Sequence, residues 1–88
     1  MNWRSTERIT KGVANHRRLE IMDLLQRKPE LSVEEVADIL KINFKTASEH
    51  IRRLAIADLL IKRYEGNFVR QKLTSRGQSI LKFLRILE

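Results

Sequence analysis

The apolar residues of this chain recur at helical spacing over its first two thirds, and they then alternate with polar residues over 61–73. In the segment 16–27 they surround most of the helix circumference, which predicts a central, buried helix. Asn15 is its expected N-cap, and Lys28-Pro29-Glu30 is expected to end it. The segment 4–13 has a weaker pattern, and we expect it to form a first helix. The bulky apolar residues available to that helix are Trp3, Ile9 and Val13.

The clearest local signature in the chain is a capping box at Ser32 and Glu35. The Ser32 hydroxyl can accept from the Glu35 amide, and the Glu35 carboxylate can accept from the Ser32 amide. Leu31 and Val36 occupy the two hydrophobic staple positions that flank such a box. A short helix is therefore predicted over 33–40.

A further N-cap candidate, Asn43, follows after a very short turn and predicts another helix, which runs to about residue 60. Two helices joined by so short a turn must cross steeply, as in a helix-turn-helix. The inner face of the second helix is expected to consist of Ala47, Ile51, Leu54 and Asp58. Its outer face is polar and cationic and carries Lys45, Glu49, Arg52, Arg53 and Ile56.

The alternating segment is predicted to be a β-hairpin, with one strand at 61–64 and the other at 68–73. Gly66 and Asn67 can both adopt positive φ at the turn between the strands. Two strands alone are marginally stable, so the hairpin must pack against the helices. We expect one side of the second strand to carry Val69 and Leu73 and the other to carry Phe68, Arg70 and Lys72.

Positive charge is concentrated in one part of the chain. The 88 residues have a formal net charge of +7 and include no cysteine. Nine basic and three acidic residues lie within 41–76, whereas the first 40 residues carry seven of each sign. Such an excess favours a polyanionic partner, because neutralising phosphates releases counterions. The alternative interpretation is a solvated basic surface. No apolar run has the length of a membrane span or the form of a signal peptide, and we expect a cytoplasmic protein.

Helix-turn-helix proteins place the first turns of their second helix in the major groove of duplex DNA. We therefore expect that helix to contact bases, and we expect the basic hairpin to act as a wing on the backbone or the adjacent minor groove. The predicted DNA contacts are Asn43, Phe44, Lys45, Thr46, Ser48, Glu49, Arg52, Arg53, Lys62, Arg63, Asn67, Arg70 and Lys72. Two roles stay open for Glu49, namely accepting from cytosine N4 or pairing with Lys45 or Arg53 on the helix surface.

Several stretches of the sequence resemble the winged helix-turn-helix regulators of the ArsR and MarR type. Val13-Ala14-Asn15-His16-Arg17-Arg18-Leu19-Glu20-Ile21 is similar to the ArsR opening, where a capping residue precedes an Arg-Leu-x-Ile run. Thr46-Ala47-Ser48-Glu49-His50-Ile51-Arg52-Arg53-Leu54 is similar to the Thr-Val-Ser-x-His-Leu-x-x-Leu recognition helix of that family. Residues 64–69 resemble its wing, and 73–77 resemble the Leu-Thr-x-x-Gly lead into the last helix that MarR-like proteins share.

The resemblance implies a mainly α fold with a small β-hairpin wing, a winged helix-turn-helix. We expect one domain over 1–88, with the helix-turn-helix at about 33–60, the wing at about 61–73 and a last helix at about 75–87. That last helix has more apolar surface than one core contact needs, and Ile80, Leu84 and Leu87 can face inward. The remaining apolar residues of that helix are Leu81, Phe83 and Ile86, and the resemblance suggests that the first and last helices of a second copy cover them, with Trp3 also in the dimer interface. The alternative is that some of these residues cover the segment around Trp3.

The sequence departs from the family pattern in ways that bear on function. Leu31-Ser32-Val33-Glu34-Glu35 stands where metal-sensing ArsR proteins carry a Cys-x-Cys pair, so that thiolate sensor is absent. Lys41 and Asp58 replace glycines, and a non-glycine residue at positive φ costs roughly 1 kcal/mol. Glu49 replaces a residue that is often basic in the family, which leaves the base preference open.

No metal, cofactor or small-molecule ligand is expected. His16 and His50 are the only two histidines, and a nitrogen and oxygen metal site built on them is disfavoured. Nothing resembles a phosphate-binding glycine loop or a nucleophile with its base, so we do not expect an enzyme. We predict a dimeric transcriptional regulator that binds specific sequences of double-stranded DNA. The alternatives are a winged-helix protein-interaction module and a nonspecific architectural DNA binder.

Overall fold

The computed structural model describes residues 1–88 and contains five helices and one antiparallel pair of strands. In chain order the elements are α1 (Trp3–Val13), α2 (His16–Arg27), α3 (Val33–Leu40), α4 (Phe44–Ile56), β1 (Leu60–Glu65), β2 (Phe68–Leu73) and α5 (Ser75–Leu87). This order is the one predicted, and the bounds of α2 and α3 match the prediction. None of the helices combines the length and apolar character that a membrane crossing requires.

Each helix begins after a side chain that accepts from the amides of its first turn. The capping residues are Asn2, Asn15, Ser32, Asn43 and Thr74. The Ser32 hydroxyl accepts from the Glu35 amide at 3.2 Å, and a Glu35 carboxylate oxygen accepts from the Ser32 amide at 2.9 Å. Because the first amides of a helix have no partner within it, each cap is worth about 1 kcal/mol. The predicted caps at Asn15, Ser32 and Asn43 are confirmed.

The core is built around α2, which contacts the other four helices and β2. Its apolar residues are buried on more than one side, as expected for a central helix. The core cluster consists of Ile21, Met22, Leu24, Leu25, Val36, Ile51, Leu54, Ala57, Leu59, Leu60, Leu73 and Leu81. Burying each large apolar side chain stabilises the fold by about 1.5–3 kcal/mol, so this cluster is the main support for the position of α4 and the wing.

Helix α4 ends at Ile56, so the prediction that it runs to about residue 60 was wrong. Asp58 adopts a left-handed conformation with φ 61° and breaks the helix. The amide of Asp58 donates to the Ala55 carbonyl at 3.0 Å, and that of Leu59 donates to the Leu54 carbonyl at 2.9 Å. These two bonds form a Schellman motif. Asp58 is therefore exposed after the helix and does not belong to its inner face, unlike Ala47, Ile51 and Leu54.

The hairpin pairs Leu60 with Leu73 and Glu65 with Phe68, so β1 starts one residue earlier than predicted. At the turn only Gly66 has positive φ, at 58°, and Asn67 does not adopt it. A third segment completes the sheet. Leu31, just before α3, forms a bridge to Gln71, with the Gln71 amide donating to the Leu31 carbonyl at 2.8 Å. The sequence pattern gave no sign of this bridge, which attaches the wing to the helix-turn-helix.

The residues of α5 that face the core differ from the predicted ones. Leu81 is only 7% exposed and belongs to the core, whereas Leu87 is 66% exposed. Ile80 and Leu84 are half-buried. The rotation of α5 about its own axis is set by Gly77, where an added Cβ would lie 2.4 Å from the Leu59 carbonyl oxygen. Because Gly77 and Leu81 are one turn apart, they face the core together, and the last turn of α5 stays exposed.

Candidate nucleic-acid interface

Helices α3 and α4 are joined by a tight turn that exposes the start of α4. Lys41 takes the left-handed conformation there, with φ 59°, at the position where the family pattern has glycine. Ala37 and Ala47 are buried, and their small side chains allow close approach at the crossing of the two helices. The turn and crossing hold the first turns of α4 at the surface, as a helix-turn-helix requires.

The predicted contact residues in the first turn of α4 have different surroundings. Phe44, Lys45 and Thr46 are exposed, and Ser48 is half-buried. The Asn43 side-chain oxygen accepts from the Lys45 amide at 2.7 Å and from the Thr46 amide at 3.4 Å. Asn43 is therefore occupied as a cap, and the exposed side chains of the next three residues are those available to a ligand.

Glu49 lies at the centre of an ion-pair cluster on the outer surface of α4. One of its oxygens is 2.7 Å from Arg52 Nη2 and 3.0 Å from Arg53 Nε, and the other accepts from Arg52 Nε at 3.0 Å. The Arg52 hydrogen bonds, followed by the charges of both arginines, lower the pKa of Glu49 to about 2. Surface pairing, one of the two roles left open, is thus observed with Arg53 and also with Arg52, while Lys45 takes no part.

The wing carries two arginines that are also paired. Arg63 binds Glu30 and, at 2.9 Å, Glu65. Arg70 lies 3.5 Å from Glu65, donates to the Glu30 carbonyl at 3.2 Å and sits over the Phe68 ring, 5.4 Å from its centroid. The hydrogen bonds of Arg63 lower the pKa of both Glu30 and Glu65. Both wing arginines are therefore engaged by acidic partners at the wing surface.

The lysines of the same surface are not paired. Lys45 on α4, Lys62 on β1 and Lys72 on β2 are exposed, and none of them forms a salt bridge. We call the surface formed by the outer side of α4 and by the wing the cationic face. Its basic residues are Lys45, Arg52, Arg53, Lys62, Arg63, Arg70 and Lys72.

A groove of about 630 Å³ brings the two parts of the cationic face together. It is lined by Phe44 from the start of α4, by Asn67 and Phe68 from the tip of the wing, and by Glu34 and Glu35 from the first turn of α3. Phe44 and Phe68 are both largely exposed. Of the predicted DNA contacts, the groove brings together Phe44 of α4 with Lys62, Asn67 and Arg70 of the wing.

Sequence reasoning missed a polar residue beneath the wing. Gln71 is fully buried, and neither its side-chain oxygen nor its side-chain nitrogen has a hydrogen-bond partner. An unpaired buried polar group costs about 1–3 kcal/mol, so Gln71 weakens the attachment of β2 that its own backbone provides. Its place between Val69 and Leu73 on the inner side of the strand was the available signal.

His50 links the recognition helix to the first two helices. Its Nδ1 accepts from Arg18 Nε at 3.3 Å, and Arg18 also donates to the carbonyls of Lys11 and Gly12 at the end of α1. Burial, followed by the charge of Arg18, lowers the pKa of His50. The contact was not predicted, because Arg18 and His50 are far apart in the sequence.

The predicted dimer residues do not form one exposed surface. Leu81 lies in the core of the chain, so it is not part of an exposed apolar surface. Phe83 and Ile86 are 57% and 74% exposed, and Leu87 joins them on the last turn of α5. We call these three residues the α5 apolar face. Trp3, at 75% exposure, is a separate exposed apolar residue on α1.

A family model described as "Bacterial regulatory protein, arsR family" matches residues 15–62. This match covers more than half of the chain and includes α2, α3 and α4. The chain belongs to the ArsR family. The predicted family is thereby confirmed, with the helix-turn-helix at the centre of the matched segment. The match to the ArsR model ends in β1, and the structural comparisons extend the likeness to the rest of the wing and to α5.

One relative of this chain is a helix-turn-helix transcriptional regulator. The HTH-type transcriptional regulator Rv0324 of Mycobacterium tuberculosis (strain ATCC 25618 / H37Rv) is 33% identical over 81 residues. That alignment covers 92% of this chain but 34% of Rv0324, so the chain spans about a third of the relative's length.

One similar solved structure is that of Mb0332 from Mycobacterium bovis, described as a homodimeric winged helix-turn-helix DNA-binding domain (fragment 1–100). It has a TM-score of 0.89 and 28% sequence identity, and the alignment covers 97% of this chain and 79% of that chain. HlyU from Vibrio cholerae N16961 has a TM-score of 0.83 and 29% identity, with 98% and 94% covered. Because these likenesses include all elements of the chain, they confirm the winged helix-turn-helix fold of this ArsR protein.

Proposed function

We propose that this chain binds double-stranded DNA at specific sequences and thereby regulates transcription. In this proposal α4 enters the major groove, and the wing contacts the backbone or the adjacent minor groove. The observation that carries it is the exposed basic residues of the outer side of α4 and of the wing, with Phe44 at the start of α4 and the wing tip lining one groove. The ArsR family and the fold support a regulator that acts by binding rather than by catalysis.

The free lysines and the paired arginines suit different parts of such a complex. Lys45, Lys62 and Lys72 form no salt bridge with a carboxylate and would neutralise backbone phosphates. Arg52, on the third turn of α4, is a planar donor that can bind guanine or a phosphate with two parallel bonds. The proposed function uses the first set for affinity and the second for recognition. A protein that binds the chromosome works beside it, and we therefore propose a cytoplasmic location.

The proposed functional unit is a homodimer. The α5 apolar face and Trp3 expose large apolar side chains, which a second copy would cover. The solved Mb0332 domain is homodimeric, and this chain resembles it over 97% of its length. A two-fold dimer would set two recognition helices about 34 Å apart, one helical turn of DNA, and would select a pseudo-palindromic site.

The decisive test is selection of bound sequences from a pool of random duplexes, followed by titration of the selected site and a scrambled duplex over a salt series. We expect the selected site to bind at least about 1000-fold more tightly than the scrambled one at physiological salt. Arg52→Ala should weaken binding to the selected site by about tenfold or more, whereas Lys82→Ala removes the same charge from the exposed side of α5 and should have little effect.

The same titration separates the alternatives. Equal affinity for all duplexes would identify a nonspecific architectural binder. Absence of binding at low salt, where a basic protein binds most readily, would contradict the proposal and favour a protein-interaction module. Sedimentation equilibrium of the free protein tests the dimer, and a monomer at micromolar concentration would contradict that part of the proposal.

A further inference from the structure

The side chains of α4 that are best suited to read DNA are already bound to a carboxylate. Arg52 gives two bonds to Glu49, from Nη2 at 2.7 Å and from Nε at 3.0 Å. Arg53 gives a third bond from Nε, also at 3.0 Å. A carboxylate and a phosphate present two oxygens to guanidinium in nearly the same way, so Glu49 fills the sites that a phosphate would take.

A backbone phosphate can therefore take the two-bond arrangement with Nε and Nη2 of Arg52 only by replacing Glu49. The exchange gains less than binding a free arginine, because one charge-assisted contact is lost for each that forms. Lys45, Lys62 and Lys72 carry no such restriction, since no carboxylate pairs with them. Sequence-independent binding should thus depend mainly on lysine, although four of the seven basic residues of the cationic face are arginines.

We infer that Glu49 is a specificity-determining residue, an inference that rests on the proposed function. On unmatched DNA, Glu49 occupies Nε and Nη2 of Arg52 and Nε of Arg53, which removes the two-bond phosphate contact of Arg52 and lowers nonspecific affinity. On a matched site, the Glu49 oxygen that accepts only one bond from Arg52 also accepts from the N4 amino group of a cytosine. Arg52 Nη1, which makes no bond to Glu49, is left to donate to a neighbouring guanine or phosphate.

The position of Glu49 distinguishes it from the acidic residues that pair with the wing. Glu30 and Glu65 hold Arg63 on the hairpin, which is expected to contact backbone rather than base edges. Glu49 lies on the second turn of α4, on the side chain row that faces outward with Lys45 and Arg52. Of the carboxylates on the cationic face, Glu49 is the one placed among the expected base contacts.

The test compares Glu49→Gln with Asp38→Asn. Asp38 is an exposed residue of α3 that forms no salt bridge or side-chain hydrogen bond, so the control removes the same charge without releasing an arginine. Fluorescence anisotropy would measure binding of both variants and of the wild type to a random-sequence duplex and to the selected site over a salt series. Because Glu49 is exposed, its replacement should leave the circular dichroism spectrum unchanged, and Glu49→Ala provides a second variant.

We expect Glu49→Gln to bind the random duplex about 5- to 30-fold more tightly than the wild type, with a salt slope steeper by about one to two. The ratio of specific to nonspecific affinity should fall by about tenfold or more, and Asp38→Asn should change either affinity by about twofold or less. Adding Arg52→Gln to Glu49→Gln should remove most of the gain in affinity for the random duplex, which would show that the gain comes from the release of Arg52.

Other results would overturn the inference in distinguishable ways. If the wild type binds its selected site specifically but Glu49→Gln and Asp38→Asn have equal effects, general charge explains the change and Glu49 has no special role. If Glu49→Gln loses affinity for random DNA, the carboxylate assists rather than restricts binding. If the wild type binds no duplex at low salt, the proposed function fails and the inference fails with it.

Discussion

The cationic face and the α5 apolar face are both exposed, but they are built in different ways. On the cationic face, four arginines are held by acidic residues while three lysines are free. On the α5 apolar face, the side chains of Phe83, Ile86 and Leu87 are each more than half exposed. On the cationic face, carboxylates already pair with the arginines that a DNA phosphate could bind. The α5 apolar face has no comparable substitute for its proposed partner. The difference indicates a partner that must compete on one face and a partner that simply adds buried area on the other.

The largest expected effect comes from disturbing the packing of α5 against the core, which supports the α5 apolar face. Gly77→Ala would place a Cβ 2.4 Å from the Leu59 carbonyl oxygen and 3.1 Å from Leu73 Cδ2. Glycine to alanine in a helix is normally stabilising, but the overpacking should dominate and lower the free energy of unfolding by about 2–3 kcal/mol. Urea denaturation measures this loss. The exposed Ser79→Ala on the same helix should be close to neutral, and equal stabilities of the two variants would contradict the close approach.

A second prediction removes the α5 apolar face as an interface while leaving the chain folded. Phe83→Glu puts a charge where a partner helix would bury the ring, and it should raise the dimer dissociation constant by about 100-fold. Gln78→Glu adds the same charge to an exposed position earlier in α5 and serves as the control. Sedimentation equilibrium measures both. If the two variants associate equally well, the α5 apolar face is not the contact between copies.

A third prediction sharpens the division between lysines and arginines on the cationic face. Replacing Lys45 and Lys62 by alanine should weaken binding to random duplex by about tenfold and reduce the salt slope by about two. Lys82→Ala should leave the slope unchanged. A larger effect from Arg63→Ala than from the two lysines together would show that the pairs with Glu30 and Glu65 do not restrict the arginine.

The smallest expected effect concerns His50, which connects α4 to Arg18 and the end of α1. The pKa of His50 is lowered in the folded state, so the unfolded chain binds the extra proton more readily. Stability from this group is complete above the ordinary pKa of 6.5 and is lost as the pH falls through the lowered value. The free energy of unfolding should therefore decrease from pH 7.5 to 5.5, more in the wild type than in His50→Gln. Parallel pH profiles would contradict the assignment.

The sequence predicted most of the fold because the signals that define it are local. The capping residues Asn15, Ser32 and Asn43 mark the helix starts by side chains that only their own helix uses. The end of α4 was missed although Asp58 stands where the family pattern has glycine, and that position was the available signal for a left-handed stop. The phase of α5 depends on the close approach of Gly77 to Leu59, a contact between distant segments that periodicity does not contain.

The candidate site was predicted less completely than the fold. The exposure of Lys45 and Arg52 on α4 and of the basic residues on the wing follows from the helix-turn-helix and the hairpin. Their electrostatic state does not, since Glu30 reaches Arg63 from another part of the chain. Glu49 could be expected to pair on its own helix, but the choice of Arg52 and Arg53 over Lys45 depends on side-chain orientation. The unpaired amide of Gln71 depends on what surrounds it in three dimensions.

The bridge between the loop before α3 and β2 has a mechanical consequence. The Glu30 amide donates to the Gln71 carbonyl at 3.1 Å, and the Gln71 amide donates to Leu31 at 2.8 Å. Arg63 and Arg70 add side-chain bonds to Glu30 across the same joint. The hairpin is thus attached to the start of the helix-turn-helix through the middle of β2, and not only through the chain at its two ends. A displacement of the hairpin tip is therefore transmitted to the segment just before α3, so the wing and the helix-turn-helix should move together.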